Sequence, residues 1–208
     1  MKDSPNLIFI PEVFDQAENW LQFFTNPLNK IIQQRNVYIL YPRNFGNSDR
    51  NPDMSWENHA NDILRFMYEH KISMATLAGH GLGGKVALAT GCYHFDKITG
   101  ICTFDTTPTN QYYFQPFHEI RDYINELKNI NLHRPFGSIS HDLKRIISCP
   151  KFRSLMENNL VKNPLGYEWR FESNAVFHNL TSFNHPSSLV NWNAQIGLYP
   201  GRSFFVFP

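Results

Sequence analysis

The chain has 208 residues, 42% of them hydrophobic and 18% charged, a globular composition that excludes disordered and membrane-spanning classes. Nineteen basic residues face eighteen acidic ones, a formal charge of +1, which lacks the basic excess of a nucleic-acid binder. Three cysteines, Cys92, Cys102 and Cys149, match no zinc spacing and read as buried reduced thiols.

Leu7–Ile10 is a short apolar run ended by Pro11, which predicts a buried strand. Gln16–Gln34 carries Trp20, Phe23, Phe24, Leu28, Ile31 and Ile32 at helical spacing, with Pro27 as a breaker. Val37–Leu40 predicts a second strand, and Arg43–Asp53 is turn-rich. Ser55 is placed to cap a helix that runs to His70 with Ile63, Leu64 and Met67 on one face. Met74–Ala78 predicts a third strand, Gly79–Gly84 a glycine-rich turn, Lys85–Tyr93 a helix and Ile98–Phe104 a fourth strand. Residues 112–185 read as an irregular helical insertion with helices at Phe117–Leu132 and Ser140–Ile147 and no convincing strand. Ser187–Gln195 predicts a last helix and Phe204–Phe207 a final strand. Strands alternating with helices imply an α/β domain over 1–208, a parallel sheet of about five strands with 112–185 as a lid.

The turn after the third strand is the point where chemistry is expected. Gly79-His80-Gly81-Leu82-Gly83-Gly84 has the strand–turn–helix context of a nucleophile elbow, with Gly81 at the central position. Gly79, Gly81 and Gly84 also fit a dinucleotide loop. That loop belongs after the first strand of its domain, and here two strands precede it.

Motifs in order along nearly the whole chain decide between these readings. They are Ile8-Phe9-Ile10-Pro11-Glu12-Val13-Phe14 with Asn19-Trp20 after it, Tyr41-Pro42-Arg43-Asn44-Phe45-Gly46-Asn47-Ser48, and the Gly79–Lys85 turn. Asp105-Thr106-Thr107-Pro108, then Phe152-Arg153-Ser154-Leu155, Asn159-Leu160 and Tyr167-Glu168-Trp169-Arg170, follow. Together they resemble the small bacterial and mitochondrial esterase type of the α/β-hydrolase superfamily. The resemblance implies an α/β-hydrolase-like sheet that lacks the first two strands and the last strand, and a mitochondrial location.

Against that family the departures fall on the reacting groups. Gly81 stands at the serine position and cannot be acylated. Pro11-Glu12 replaces the oxyanion His-Gly, and Asp105 matches an acid candidate. His80 and Leu82 flank the nucleophile position, and no segment matches the catalytic histidine motif. His118, His133 and His141 suggest no metal set, and no cofactor is implied.

These departures lead to the expectation of a non-catalytic accessory subunit of a larger respiratory-chain-type assembly. Its partners would be other protein subunits, without nucleic acid. It would sit at most peripherally on a membrane complex, with no span of its own. Val37, Tyr38, Ile39 and Leu40 and Phe204, Phe205, Val206 and Phe207 are the expected partner-facing edges. Trp169, Trp192, Phe114 and Phe117 are further anchor candidates. An acyl-ligand sensor using the vestigial pocket is the alternative, and a weak esterase the more distant one.

Overall fold

A computed structural model describes residues 4–27, 32, 34–106, 116–184 and 203–206. β1 (Asn6–Ile10) is followed by α1 (Ala17–Thr25), β2 (Asn36–Ile39), α2 (Trp56–Glu69), β3 (Ala75–His80), α3 (Leu82–Tyr93) and β4 (Ile98–Phe104). The insertion holds α4 (Pro116–Leu127), α5 (Phe136–Ile146), α6 (Pro150–Asn158), β5 (Leu160–Asn163), β6 (Gly166–Trp169) and α7 (Ser173–Asn184), and β7 (Ser203–Val206) returns to the sheet.

β2, β1, β3, β4 and β7 form one sheet in that order, every pairing parallel. Helices cover it, so its central strands are apolar without alternation: Ile8, Phe9 and Ile10 of β1 are all buried. The chain leaves β1 toward β2 and later returns to β1's other side as β3. In an open parallel sheet such a reversal opens a crevice at the carboxyl ends of the two strands. α2 buries Trp56, His59, Ala60, Ile63 and Met67 along one helical face. α3 is buried over Leu82–Gly91, and its Gly83, Gly84, Ala87 and Ala89 let it lie close to the sheet.

The outer strands are the expected edges, β2 with Val37, Tyr38 and Ile39 and β7 with Phe204, Phe205 and Val206. Leu40 lies just past β2 and still donates its amide to the Phe9 carbonyl at 2.9 Å. Phe207, Phe114, Trp192 and the expected Ser187–Gln195 helix lie outside the described residues.

α1 ends at Thr25, just before Asn26 and the expected breaker Pro27. Two expectations are corrected. The insertion contains an antiparallel hairpin where no strand was expected, Leu160 pairing with Trp169 and Asn163 with Gly166. Gly166 sits at φ 138°, and the Leu165 amide donates to the Asn163 side chain at 3.0 Å, so the Asn163-Pro164-Leu165-Gly166 turn closes it. The cysteines are free, but Cys92 and Cys102 are only half-buried and Cys149, at the outer start of α6, is exposed.

His59 is the deepest ionisable group of α2, 1% exposed. Burial, reinforced by the Arg43 charge, pushes its imidazole down to about 3. With a depressed native value, the stability that neutral His59 contributes is complete above pH 6.5. It is lost as pH falls toward 3. His59→Asn is expected to flatten the acid limb of stability against pH by about 1.4 kcal/mol per pH unit between pH 4 and 6. Urea titrations at a series of pH values measure this, and an unchanged slope would refute it.

Candidate active site

The crevice between the ends of β1 and β3 is built from glycines that cannot be anything larger. A Cβ on Gly79 would lie 2.3 Å from the Gly83 carbonyl oxygen, and one on Gly83 2.0 Å from that of Ile10. One on Gly84 would lie 2.3 Å from Thr106 Cγ2. These contacts hold the bend of β3 into α3 tightly against the end of β1. Gly81 sits at the bend with φ 53° and ψ −117°, a conformation that costs a side-chain-bearing residue on the order of 1–3 kcal/mol. Its amide donates to the Phe104 carbonyl at 3.0 Å, which ties the bend to β4.

Glu12 fills the space opposite. Its Oε1 accepts from the Val13 amide at 2.7 Å and from the Leu82 amide at 3.0 Å. These two amides, one from the loop after β1 and one from the first residue of α3, converge as oxyanion donors must. Its Oε2 lies 1.2 Å from where a Cβ at position 81 would be. The carboxylate thus spans both places, one oxygen in the two-amide cradle and the other where a nucleophile's side chain would begin. In sequence Glu12 is only part of the Pro11-Glu12 pair that replaces the oxyanion His-Gly. The geometry shows it as the group the cradle holds.

Desolvation raises the Glu12 carboxyl above its ordinary value, and the Asp105 charge adds to that. The Leu82 and Val13 amides and His80 oppose the rise. Glu12 keeps partial exposure to solvent. Lys85, one turn into α3 and 4% exposed, is pushed down to about 8 by burial, with the Glu12 charge opposing that shift. Asp105 follows β4 at φ 51°. The His80 ring is inclined 60° to that of Trp20, with centroids 6.0 Å apart, and its Nδ1 is buried with no hydrogen-bond partner.

The loop carrying Glu12 is firmly anchored. Asp15 accepts from Trp20 Nε1 at 2.6 Å and Asn19 Nδ2 at 2.8 Å, and the Asp15 amide donates to the Glu12 carbonyl at 3.2 Å. Beyond it, Phe14 at φ 64° meets Phe45, Phe152 and Phe171 with ring centroids 5.6, 6.0 and 4.8 Å away. The insertion therefore closes on the same loop that holds Glu12. Trp169, an expected anchor, is half-buried and packs on Phe171 at 5.4 Å. Arg43 of the turn-rich segment grips both Asp62 carboxylate oxygens at 2.7 and 2.8 Å.

His133 binds the Leu165 carbonyl through Nδ1 at 3.0 Å, and His141 is exposed beside Asp142. Among the described residues no group of three or more His, Cys, Asp or Glu could hold a metal ion. Among them, too, no helix is long and apolar enough to cross a membrane.

No family model matches the chain. It is 23% identical over 212 residues to the zebrafish sn-1-specific diacylglycerol lipase ABHD11, which covers 98% of this chain and 63% of the lipase. It is 26% identical over 145 residues to ethanol acetyltransferase 1 of Kluyveromyces marxianus, 66% of this chain and 39% of that protein. The chain thus spans less than two thirds of the length of these relatives. Among solved structures, a marine microorganism esterase superposes with a TM-score of 0.80 at 20% identity, over 99% of this chain and 87% of its own. The relatives carry the names of a lipase and an acetyltransferase, and this overturns the expectation of a non-catalytic accessory subunit. Fold and likeness together support an α/β-hydrolase-like chain, similar to these esterase, lipase and acetyltransferase relatives.

Proposed function

We propose that this protein hydrolyses small carboxylic esters without a serine acyl-enzyme, with Glu12 as the reacting group. The observation that carries the reading is the Glu12 carboxylate itself, held by the Leu82 and Val13 amides in the crevice and reaching into the space that Gly81 leaves. The relatives' names supply the class of substrate, an acyl ester. Gly81 has no hydroxyl to acylate, so water is the attacking group. Glu12 Oε2 takes the proton from that water as its oxygen adds to the ester carbonyl. Negative charge then passes from Glu12 to the ester oxygen, and the two amides follow it because a neutral carboxyl is the weaker acceptor. The proton on Glu12 is next delivered to the leaving alkoxide. A mitochondrial setting belongs to this proposal on the same likeness.

Glu12→Gln is expected to lower kcat/KM for p-nitrophenyl acetate by about 100-fold or more. A serine-directed fluorophosphonate is expected to leave the wild-type chain unlabelled. The rate should climb with pH through a value above 4.5, since only ionised Glu12 accepts the proton and burial raises its pKa. The same raised value means that stability from protonated Glu12 is complete below pH 4.5 and is lost as pH rises through the native pKa. A folded wild-type protein that hydrolyses no short ester, or a Glu12→Gln variant at full rate, would overturn the reading.

A further inference from the structure

We propose that the cavity between the turn after β2 and the β5–β6 hairpin binds a free α-amino acid with an aromatic side chain. The site is separate from the crevice, and Glu12 does not line it. The cavity holds about 400 Å3, within the range of small-molecule sites, and is lined by Arg50, Glu168, Trp169, Phe171, Glu172 and Ser173. Charges of both signs face it without closing on each other. Desolvation lowers the pKa of the Arg50 guanidinium, and the charges of Glu172 and Glu168 oppose that shift, so both carboxylates act on it. Among the described residues, however, neither forms an ion pair with it.

Each charged group is held on its own wall by a neighbour. Arg50 Nη2 donates to the Gly46 and Arg170 carbonyls at 3.2 and 2.8 Å. Its Nε and Nη1 donors have no partner among the described residues. Glu172 Oε1 accepts from the Asn174 amide at 3.0 Å, and Glu168 Oε2 accepts from Asn163 Nδ2 at 3.3 Å. Among the described residues the other oxygen of each carboxylate and the Ser173 hydroxyl stay open as acceptors. This set is complementary to a zwitterion. An anion alone would meet two carboxylates, and a cation alone would meet the guanidinium. A ligand carboxylate on Arg50 gains charge-assisted hydrogen bonds, and a primary ammonium brings three donors to the open acceptors of Glu168, Glu172 and Ser173. Trp169 and Phe171, with ring centroids 5.4 Å apart and planes inclined by 31°, supply the apolar wall for an aromatic side chain.

The experiment is isothermal titration calorimetry of the full chain with L-phenylalanine, and saturable one-to-one binding is the expected result. N-Acetyl-L-phenylalanine lacks the ammonium and L-phenylalaninamide lacks the carboxylate. Each should bind about 10-fold more weakly or worse. L-Alanine keeps both charges without the ring and should also bind more weakly. Glu168→Gln keeps the shape of an exposed hairpin residue and removes its charge, and it should weaken L-phenylalanine about 10-fold. The ligand series needs no variant and decides the matter where the substitution disturbs folding. Glu12→Gln should leave the affinity unchanged, because Glu12 lies in the crevice. No saturable binding to folded wild-type protein, or equal affinity for L-phenylalanine and any of the three analogues, overturns the proposal. So does undiminished binding to folded Glu168→Gln. A loss of affinity in Glu12→Gln would move the ligand into the crevice and overturn it as well.

Discussion

Gly81→Ser is expected to destabilise the protein by about 2–5 kcal/mol, and adding Glu12→Gly should return a large share of that loss. Two costs add in the single variant. The residue must hold φ 53°, which costs an L side chain about 1–3 kcal/mol. Its Cβ must also displace a carboxylate whose Oε2 lies 1.2 Å away and whose Cδ lies 2.1 Å away, an overpacking of about 1–3 kcal/mol. The carboxylate cannot simply turn aside, because leaving the cradle strands the Leu82 and Val13 amides. Glu12→Gly removes the collision and leaves the backbone strain, with the Leu82 and Val13 amides opened to water in the crevice. Urea unfolding of both single variants and the double variant closes a mutant cycle. The expected coupling is about 1–3 kcal/mol in the favourable direction. Additivity within about 0.5 kcal/mol would mean that the two positions do not compete for one space.

This competition marks the limit of what the sequence discloses. The bend was legible because each of its glycines answers a local demand that a motif can carry, close approach at Gly79, Gly83 and Gly84 and positive φ at Gly81. The strands themselves were legible for a similar reason, since β1, β3 and β4 are short, largely apolar segments separated by helices. The partnership of Glu12 with Leu82 was not legible. The two are 70 residues apart, and only the parallel pairing of β1 with β3 brings them together. Read singly, Gly81 was a lost nucleophile and Glu12 a misplaced charge, and that reading led to a non-catalytic subunit. The hairpin of β5 and β6 had a signal, Pro164 and Gly166 between Val161 and Tyr167, but four-residue strands carrying Lys162 and Glu168 are too short and too polar to stand out.

Phe14→Ala is expected to cost about 3–5 kcal/mol, the range for deleting a buried aromatic ring, and to loosen the insertion before the sheet. Phe14 is 2% exposed, and its ring is the common partner of Phe45 from the turn after β2, Phe152 from α6 and Phe171 from the end of the hairpin. Its carbonyl accepts from the buried Asn159 Nδ2 at 2.7 Å, and the same nitrogen donates to the Leu155 carbonyl at 2.8 Å. One residue at φ 64° therefore joins the Glu12 loop to three segments by packing and, at the C-terminal end of α6, by a hydrogen bond as well. Asn159→Ala cuts only the hydrogen bonds and should cost about 1–3 kcal/mol, the range for stranding buried acceptors. Hydrogen exchange discriminates the two variants. Phe14→Ala should lower protection in α5 and α6 further than in β1 and β3, because the sheet keeps its own ladder and the insertion loses its seat. Equal losses across sheet and insertion would show one cooperative unit, and a cost under about 1 kcal/mol would show that the ring is no hub. If the insertion loosens, Glu12 loses the loop that aims it. Ester turnover in Phe14→Ala should then fall while the fluorophosphonate still finds nothing to label.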